Sequence, residues 1–504
     1  MEGKKYNNTQ TILVSLWGTR IGILSWNTRT RVSVFWFTQE YFALPYDIAP
    51  IAYPKSLQSA AIGIQGIRKP KEYQGLPPFI ADSLPDRWGN ALFDRWFAIN
   101  ALHEIDKTPL TKLSFIARRA IGALEFTPII ESGFYDSQKV HIDELYKEAL
   151  NVEKELAGAS IPAGEPLTRK ALMAIGTSAG GRQMKAIVSI APDGTIYSGQ
   201  TTADPSFEHC ILKFNTPEYA LSEIEMTYYE MAIAAGICMM PSRLIEVEGV
   251  CHFLTRRFDR KDGKKVFVQT LSAIDPDAHS YEDLFRTARE LGVPKPEMEE
   301  LFRCAVFNVL ANNTDDHEKN FSFLMNQDGQ WHVSPAYDIT FIIASNGIEA
   351  ETVHCISLNG KLSDITEEDL LKLGRDLSIK NPAEIIREVR NGIAVFPEAA
   401  LRNGVDAFHI EIISRRLHHL NPELQFPESC FESPSFTTED GIRISGIHFE
   451  KSVSGNIHIC ATVDGQDKKY VVTPKRALFS EILKEGFNGM AAKKKIEYAR
   501  KYLL

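Results

Sequence analysis

The chain has 504 residues, of which 44% are hydrophobic and 24% are charged. This composition is typical of a globular protein, and the length predicts two to four structural units. The formal net charge is −9, from 56 basic and 65 acidic residues. The chain as a whole therefore has no electrostatic reason to coat nucleic acid, and any such contact would need a local basic patch or a partner protein.

The cysteines and the start of the chain indicate a cellular compartment. Seven cysteines are scattered along the sequence without a C-x-x-C pair, which argues against a disulfide framework or a zinc cluster and favours a reducing environment. The first residues lack an apolar core with a small-residue cleavage site, and no stretch approaches the roughly 18 apolar residues of a membrane span. We therefore expect a cytoplasmic protein without a membrane contact.

The first part of the chain predicts a mixed unit. Residues 11 to 45 alternate apolar and polar positions, a pattern typical of two or three short antiparallel strands. Helices are predicted after Trp88 and over residues 106 to 125 and 142 to 156. Residues 1 to 155 are therefore expected to form a unit of strands and helices, rich in β-structure.

The middle of the chain predicts strands and then helices. Residues 165 to 262 predict strand-loop-strand, strand, helix, strand, strand, with Gly236 capping the helix. Most of the chain from there to about residue 425 predicts helices, with one hairpin turning at residues 326–329. Two helix-start signals stand out, namely Thr366 with Asp369 and Asn381-Pro382 with Glu384.

The end of the chain predicts a separate small unit. A Ser/Pro/Glu-rich stretch near residues 427 to 440 is typical of a linker. Beyond it, the sequence predicts three short strands and a Lys-rich final helix. The expected segments are residues 1–155, 156–262, 263–430 and 431–504.

The strongest chemical signal is the sequence NTDDHEKN at residues 313–320. Phosphoryl transfer to a hydroxyl needs a carboxylate that orients the hydroxyl and accepts its proton, oxygen ligands for Mg²⁺, and a cation on the α/β-phosphates. Asp315 and Asn320 have the Asp-x-x-x-x-Asn spacing of kinase catalytic loops. Asp338 is expected to end the strand after the hairpin, where its carboxylate would be a second ligand for Mg²⁺.

Two further groups could serve the phosphates. Lys213 lies in an otherwise apolar strand, CILKF, and Glu225 on the next helix is its best partner. A small-residue turn whose backbone N–H groups could cradle phosphate comprises Gly180, Gly181, Arg182, Gln183, Met184 and Lys185.

Each of these features alone has an ordinary structural explanation. The acidic run at Asp315 could cap a helix or lie in a surface loop, and a zinc site there is less favoured because no other His or Cys lies at ligand spacing. Lys213 could be an edge-strand lysine, Glu225 a solvated helix residue, and the glycine pair a simple turn. Their order along the chain favours a kinase.

These stretches resemble the HipA family of serine/threonine kinases, the toxins of bacterial toxin–antitoxin pairs. The matching sequences are LPPFIADSLPDRWGN, GTSAGGRQMKA, ILKF, LTRRFDR, NTDDHEKNFSF and SPAYDIT. The resemblance implies an α+β, two-lobed protein-kinase-like fold, with a HipA-type N-terminal subdomain over residues 1–155. It also implies a kinase N-lobe over 156–262 and a helical C-lobe over 263–430, whereas residues 431–504 have no recognised counterpart.

The resemblance also implies roles for residues in an ATP- and Mg²⁺-dependent enzyme. Asp315 is the implied catalytic base, and Asn320 and Asp338 are the implied Mg²⁺ ligands. Ser178, beside Thr177, matches the serine that such kinases phosphorylate on themselves. The implied nucleotide-binding residues are the loop Gly180 to Lys185, Lys213 with Glu225, the hinge Arg256, Arg257 and Phe258, and His317, Lys319 and Tyr337. The hinge carries a basic group at Arg256 where an acidic one is common.

The implied partners are proteins. The N-terminal unit is where such toxins meet a helix-turn-helix antitoxin, and the family's substrate class includes aminoacyl-tRNA synthetases. Direct binding of nucleic acid is not expected except through the antitoxin. Two other functions stay open from the sequence, a small-molecule phosphotransferase and a catalytically quiet, nucleotide-binding co-repressor.

Overall fold

The computed structural model describes residues 11–69, 71–99, 107–128, 139–156, 183–198, 204–216, 220–343, 350–431, 435–438, 441–451, 456–476, 478, 482 and 492–504. The chain divides into two compact units. Unit 1 comprises Met1–Phe214, Leu254–Met298 and Glu318–Pro335, and unit 2 comprises Asn215–Phe253, Glu299–His317 and Ala336–Leu504.

Alternating apolar residues build the first sheet of unit 1. Its strands are β1 (Thr11–Leu16), β2 (Thr19–Asn27), β3 (Val32–Phe37), β4 (Ile64–Gln65) and β5 (Leu124–Thr127). They are antiparallel in the order β4-β3-β2-β1-β5. Every second residue of β1, from Ile12 to Leu16, is fully buried, as expected for a half-buried strand. The strands predicted for residues 11 to 45 are confirmed.

Five helices also form in this part of the described chain. They are α1 (Gln39–Phe42), α2 (Pro78–Ala81), α3 (Arg87–Ile99), α4 (Pro109–Ile116) and α5 (Ile142–Leu156). Phe79 of α2 packs edge-on against Phe35 of β3, with ring centroids 5.2 Å apart. The long helix expected over residues 106 to 125 is wrong, because α4 ends before Ala117, whose φ is 51°. The Gly122 N–H then donates to the carboxylate of Asp259 at 2.8 Å, and β5 follows.

The next segment alternates strands with a helix, as predicted. Its elements are β6 (Lys185–Ile190), β7 (Ile196–Ser198), β8 (Glu208–Lys213), α6 (Leu221–Ala234), β9 (Ser242–Val247) and β10 (Val250–Arg256). In unit 1, β6 pairs antiparallel with both β7 and β8. Gly236, with φ 79°, follows α6. The N–H of Ile237 donates to the Ala232 carbonyl at 2.9 Å, so the glycine cap is confirmed.

Helices dominate the chain that follows. The elements are β11 (Arg260–Lys261), β12 (Lys264–Lys265), β13 (Phe267–Thr270), α7 (Leu271–Ile274), α8 (Tyr281–Glu290), α9 (Lys295–Leu310), β14 (Ser322–Met325), β15 (Trp331–Val333), α10 (Glu367–Asp376), α11 (Pro382–Ile393), α12 (Phe396–Asn403) and α13 (Ala407–Leu420). Strands β13, β14 and β15 form an antiparallel sheet that contains the predicted hairpin. Thr366 and Asp369 form the predicted capping box. Asn381 precedes α11 in a left-handed conformation without a side-chain cap.

The end of the chain forms a sheet with a helix on it. The elements are β16 (Ser435–Thr437), β17 (Arg443–Lys451), β18 (Ile457–Val463), β19 (Gln466–Val472) and α14 (Ala492–Leu503). The strands are antiparallel in this order. Their core includes Phe449, Ile459 and Val472 of the sheet with Tyr498 and Leu503 of the helix. The three predicted strands and the final helix are confirmed, and the short β16 was not predicted.

The predicted α+β class is confirmed by these helices and antiparallel sheets. Over the described ranges, none of the helices has both the length and the apolar character that crossing a bilayer requires.

A close helix contact in unit 2 gives a stability prediction. A Cβ added at Gly392 of α11 would lie 2.4 Å from the backbone nitrogen of Ala235, at the end of α6. Since backbone cannot yield as a side chain can, Gly392→Ala should lower the free energy of unfolding by roughly 1–3 kcal/mol. Thermal unfolding measures the change. Asn391→Ala, at an exposed position of the same helix, is the control, and an equal effect of both variants would contradict the close contact.

Candidate active site

The predicted site residues fall into both units. In unit 1 the structure describes Gln183, Met184, Lys185, Lys213, Arg256, Arg257, Phe258, Lys319 and Asn320. In unit 2 it describes Glu225, Asp315, His317, Tyr337 and Asp338. The remaining predicted residues, Thr177, Ser178, Gly180, Gly181 and Arg182, lie outside the described residues. That both sets meet around one nucleotide stays a prediction.

Buried hydrogen bonds fix the loop that follows α9. Asn421 Nδ2 donates to the Leu310 carbonyl at 2.9 Å, and the Tyr228 hydroxyl donates to the Ala311 carbonyl at 2.8 Å. These side chains satisfy carbonyls at the helix end that have no partner within the helix. The position at which α9 stops is therefore set by side chains distant in sequence.

Two asparagines then turn the chain. Asn312 has φ 55°, accepts a hydrogen bond from Arg416 Nε at 2.7 Å and donates to the Glu351 carbonyl at 2.8 Å. Asn313 Nδ2 donates to Asn308 Oδ1 at 2.9 Å. An asparagine tolerates the left-handed region better than most residues, and here its side chain also supplies the bonds that hold the turn.

The adjacent carboxylates Asp315 and Asp316 have opposite environments. The side chain of Asp316 is 0% exposed. It accepts hydrogen bonds from His354 Nδ1 and from the Cys355 backbone N–H, both at 2.8 Å. The side chain of Asp315 is 48% exposed, and its Oδ1 lies 3.8 Å from His317 Nε2. Asp316 therefore anchors the loop, while Asp315 is accessible for chemistry.

In unit 1, the N-terminal segment fixes the chain beside Asn320. Asn320 ends a short 3-10 helix, and the next carbonyl, of Phe321, accepts from the Leu271 N–H at 2.8 Å. Thr270 donates from both its backbone N–H and its hydroxyl to the carboxylate of Asp82, each at 2.8 Å. Burial raises the pKa of Asp82, and the bonds from Thr270 and the charge of Lys319 offset part of that shift.

Strands β6 and β8 bring two predicted lysines together. Lys185 and Lys213 are direct partners in the antiparallel register, and Gln183 Nε2 donates to the Phe214 carbonyl at 3.1 Å. Lys213 is half-buried. The side chain of Lys185 is 2% exposed, with its Nζ 3.4 Å from Asp86 Oδ2. This burial favours a structural role for Lys185 and leaves Lys213 better placed to meet a phosphate.

The predicted hinge is held by a buried charge cluster. The backbone N–H of Arg257 donates to the His209 carbonyl at 2.8 Å. Its side chain binds the Asp259 carboxylate through two bonds of 2.7 Å, and Arg260 Nη1 donates to the same carboxylate at 2.7 Å. Burial alone would raise the pKa of Asp259, but the two guanidinium groups outweigh it and hold that pKa well below its usual range. The exposed residue of the hinge is Arg256.

Helix α6 carries Glu225, the predicted partner of Lys213, and Glu223 two residues before it. Glu225 is 6% exposed, and its pairing with Lys213 stays a prediction. Glu223 accepts a hydrogen bond from Asn215 Nδ2 at 3.0 Å. Burial raises the pKa of Glu223 to about 7, the charge of Asp406 adds to the shift, and the bond from Asn215 opposes it.

Asp338 does not end a strand, so that expectation is wrong. Strand β15 ends at Val333, because the next residues leave the hairpin: the Ala336 N–H donates to the Cys238 carbonyl at 2.8 Å. Asp338 has φ 53° and is half-buried, as is Tyr337. A short bridge between Ala336 and Met239 therefore positions this carboxylate.

The donor chemistry of the predicted metal ligands fits Mg²⁺. Asp338 offers a carboxylate and Asn320 a carbonyl oxygen, which are the hard ligands that Mg²⁺ prefers. In the part of the chain that the structure describes, no three His, Cys, Asp or Glu side chains are grouped to hold a metal. A site made from these two residues would leave the other coordination positions to water and phosphate oxygens.

Several supporting residues were not singled out from the sequence. Asp82 and Asp86 lie within the block LPPFIADSLPDRWGN, which resembles HipA. The sequence therefore pointed to these two residues but did not identify the groups that they bind. His354 pairs with Asp316, and Asp259 with the Gly122 N–H, and only the fold identifies these partners. For His354 the sequence offered no signal, because it lies in irregular chain far from Asp316.

The two adjacent aspartates predict separable effects. Asp316→Asn removes one buried acceptor and should destabilise unit 2 by about 1–3 kcal/mol. Hydrogen exchange at residues 313–317 should speed up. The same isosteric change at the neighbouring residue, Asp315→Asn, should leave the thermal midpoint and the hydrogen exchange unchanged, because the side chain of Asp315 is half exposed. Equal destabilisation by both variants would contradict the assigned roles.

Glu223 predicts a dependence of stability on pH. Its folded pKa lies above the ordinary value of 4.5. The stabilisation is therefore fully present below about pH 4.5 and is lost as the pH rises through about 7. Glu223→Gln should flatten this decline in thermal midpoints, whereas Glu246→Gln, at an exposed position, should not. Identical pH profiles for wild type and Glu223→Gln would count against the raised pKa.

The chain is similar to two family models and to several known proteins. A family model described as the HipA N-terminal domain matches residues 12–127, and one described as the HipA-like C-terminal domain matches residues 177–395. The candidate kinase Y4mE of Sinorhizobium fredii is 24% identical over 215 residues, which are 39% of this chain and 50% of that protein. The serine/threonine-protein kinase toxin HipA of Shewanella oneidensis is 29% identical over 121 residues, 23% of this chain and 28% of that protein. The chain thus spans half or less of these curated relatives.

A solved structure shows the fold. A chain in the Shewanella oneidensis MR-1 complex of HipA, HipB and operator DNA matches with a TM-score of 0.55 at 15% identity, covering 83% of this chain and 96% of that chain. The protein therefore has the α+β, kinase-like fold of HipA. The N-terminal and C-terminal models together match residues 12–127 and 177–395, and the chain belongs to the HipA family.

Proposed function

We propose that the chain is an ATP- and Mg²⁺-dependent protein serine/threonine kinase of the HipA type. The observation that carries the proposal is the contrast between two neighbouring carboxylates, with Asp316 locked by His354 and Asp315 left accessible. A loop held this rigidly around one exposed carboxylate, at kinase spacing from Asn320, suits the positioning of a hydroxyl for phosphoryl transfer. The names of the curated relatives support the same activity.

The proposed reaction uses Asp315 as the base. The hydroxyl oxygen of the substrate serine or threonine bonds to the γ-phosphorus, and the bond from that phosphorus to the β–γ bridging oxygen breaks. Asp315 orients the hydroxyl and takes its proton, and ADP leaves. The transferred phosphoryl group carries its charge on oxygens that cations must neutralise.

Other residues hold the nucleotide in this proposal. Mg²⁺, when bound, neutralises the phosphate charge, and Asn320 and Asp338 are its protein ligands. Lys213, fixed by Glu225, meets the α/β-phosphates. The remaining nucleotide contacts come from the loop Gly180 to Lys185, the hinge backbone at Arg256 to Phe258, and His317, Lys319 and Tyr337. Lys185 acts there indirectly, since its ammonium lies beside Asp86.

The same proposal includes control by partners. Ser178, or the adjacent Thr177, is the proposed site of self-phosphorylation. A helix-turn-helix antitoxin is the proposed partner of the N-terminal segment, which agrees with the presence of HipB and operator DNA in the matched HipA structure. The substrate is a cytoplasmic protein, with an aminoacyl-tRNA synthetase as the first class to examine.

Asp315 gives the decisive activity prediction. Incubation of the chain with Mg–ATP should produce phosphate on Ser178 or Thr177, which mass spectrometry locates. Asp315→Asn should lower the rate roughly a hundredfold or more, because it removes the base from the transition state without disturbing the fold. Lys213→Ala and Asp338→Ala should have comparable effects.

Controls separate lost chemistry from lost structure. Asp328→Asn, at an exposed turn of the hairpin, should leave the rate unchanged. Each inactive variant should retain the wild-type thermal midpoint. Full activity of Asp315→Asn would rule out this residue as the base, and nucleotide binding without any transfer by the wild type would favour the co-repressor.

A further inference from the structure

The end of the chain has a positive net charge, whereas the rest of the chain has a negative one. Residues 441–504 contain twelve Lys and Arg against six Asp and Glu, although the whole chain has a net charge of −9. The matches to the HipA models end at residue 395. A local excess of positive charge on an acidic protein satisfies the condition under which contact with a polyanion is expected.

Part of this charge lies on one surface around β19 and the end of α14. Lys468 Nζ donates to the Leu503 carbonyl at 3.2 Å, which brings strand and helix together. The rings of Tyr470 and Tyr502 lie beside each other, with centroids 5.0 Å apart and an interplanar angle of 31°. We call this surface the terminal basic patch, and its residues are Lys468, Tyr470, Lys475, Arg476, Lys501 and Tyr502.

Cations accompany both aromatic rings of the terminal basic patch. The Arg476 guanidinium lies 5.6 Å from the Tyr470 ring centroid, and Arg476 also donates to the Tyr470 hydroxyl. Lys501 Nζ lies 5.2 Å from the Tyr502 ring centroid. All four cationic residues of the patch are exposed, and both rings are half-buried.

The acidic residues described beside the patch balance only part of this charge. Asp467 accepts a hydrogen bond from the Thr462 hydroxyl at 2.7 Å. Successive strand residues point to opposite faces, so Asp467 lies on the other face from Lys468 and Tyr470. Glu497, one turn before Lys501 on α14, is the acidic neighbour on the helix. Among the residues that the structure describes here, four exposed cations face this one carboxylate, which leaves the described surface positive.

We propose that the terminal basic patch binds single-stranded nucleic acid. The exposed cations would contact successive phosphates, and unpaired bases would stack on the exposed Arg476 guanidinium and on the outer parts of Tyr470 and Tyr502, which also pack against each other and, for Tyr502, against Tyr498. Base stacking distinguishes a single strand from a duplex, whose base faces are covered, and from an anionic membrane, which offers none. The patch therefore gives the protein a nucleic-acid contact of its own, contrary to the expectation, implied by the family resemblance, that nucleic acid is met only through an antitoxin.

Binding by the full chain tests this proposal. Fluorescence anisotropy would use labelled oligo-dT and oligo-rU of about 20 nucleotides, with salt raised from about 50 to 200 mM. The affinity should fall linearly on a log–log plot. Lys475→Glu/Arg476→Glu should weaken binding at least tenfold at the lowest salt. The loss of two phosphate contacts should also reduce the magnitude of the slope by about 1.4.

Matched variants isolate the patch. Lys295→Glu/Lys380→Glu makes the same change of charge at exposed positions elsewhere and should bind like wild type. Tyr502→Leu should weaken binding while leaving the salt slope unchanged, because it removes stacking and no cation. Asp315→Asn should bind like wild type, so the result is independent of the proposed kinase activity. Unchanged thermal midpoints show that each variant is folded.

Several results would overturn the proposal. One is the absence of binding at the lowest salt, and another is an equal loss of affinity in both charge-reversal variants. Tighter binding to a duplex of the same length, or to vesicles containing phosphatidylserine, would instead assign the patch to duplex DNA or to a membrane. If Lys475→Glu/Arg476→Glu unfolds, Lys475→Gln/Arg476→Gln replaces it, and wild-type affinity of that variant would also contradict the proposal.

Discussion

One buried carboxylate, that of Asp316, sets the conformation on which the proposed chemistry depends. It accepts hydrogen bonds from the His354 ring and from the Cys355 N–H, and the buried His354 donor would otherwise lose its acceptor. Because unsatisfied buried donors are costly, the loop has a strong preference for this one arrangement. In that arrangement the adjacent Asp315 is half exposed. The burial of one aspartate thus determines the availability of its neighbour.

The same principle operates in unit 1 through the N-terminal segment. Asp82 holds both polar groups of Thr270, next to the chain that carries Asn320. Asp86 lies beside the ammonium of Lys185, and Trp88 Nε1 donates to the Lys185 carbonyl at 2.9 Å. The block that resembles HipA at the sequence level is therefore a structural support for predicted nucleotide-binding strands.

Local pattern was enough to predict most elements of the fold. Alternation identified β1 to β3, apolar periodicity identified α6 and α9, and Thr366 identified the start of α10. The prediction failed where distant groups decide, as at Ala117, where the chain leaves α4 and Gly122 reaches Asp259. The site residues with recognisable spacing could be named from the sequence. Their anchors could not, because His354 and Asp82 meet their partners only through the fold.

The proposed chemistry requires Asp315 to face a nucleotide whose metal is held by Asn320 and Asp338. A crystal structure of the full chain with Mg²⁺ and a non-hydrolysable ATP analogue tests it most directly. We expect the side-chain oxygens of Asn320 and Asp338 to coordinate the metal at about 2.1 Å and Asp315 to point to the γ-phosphate. A nucleotide bound away from these residues, or a metal without either of them as a ligand, would contradict the proposed site.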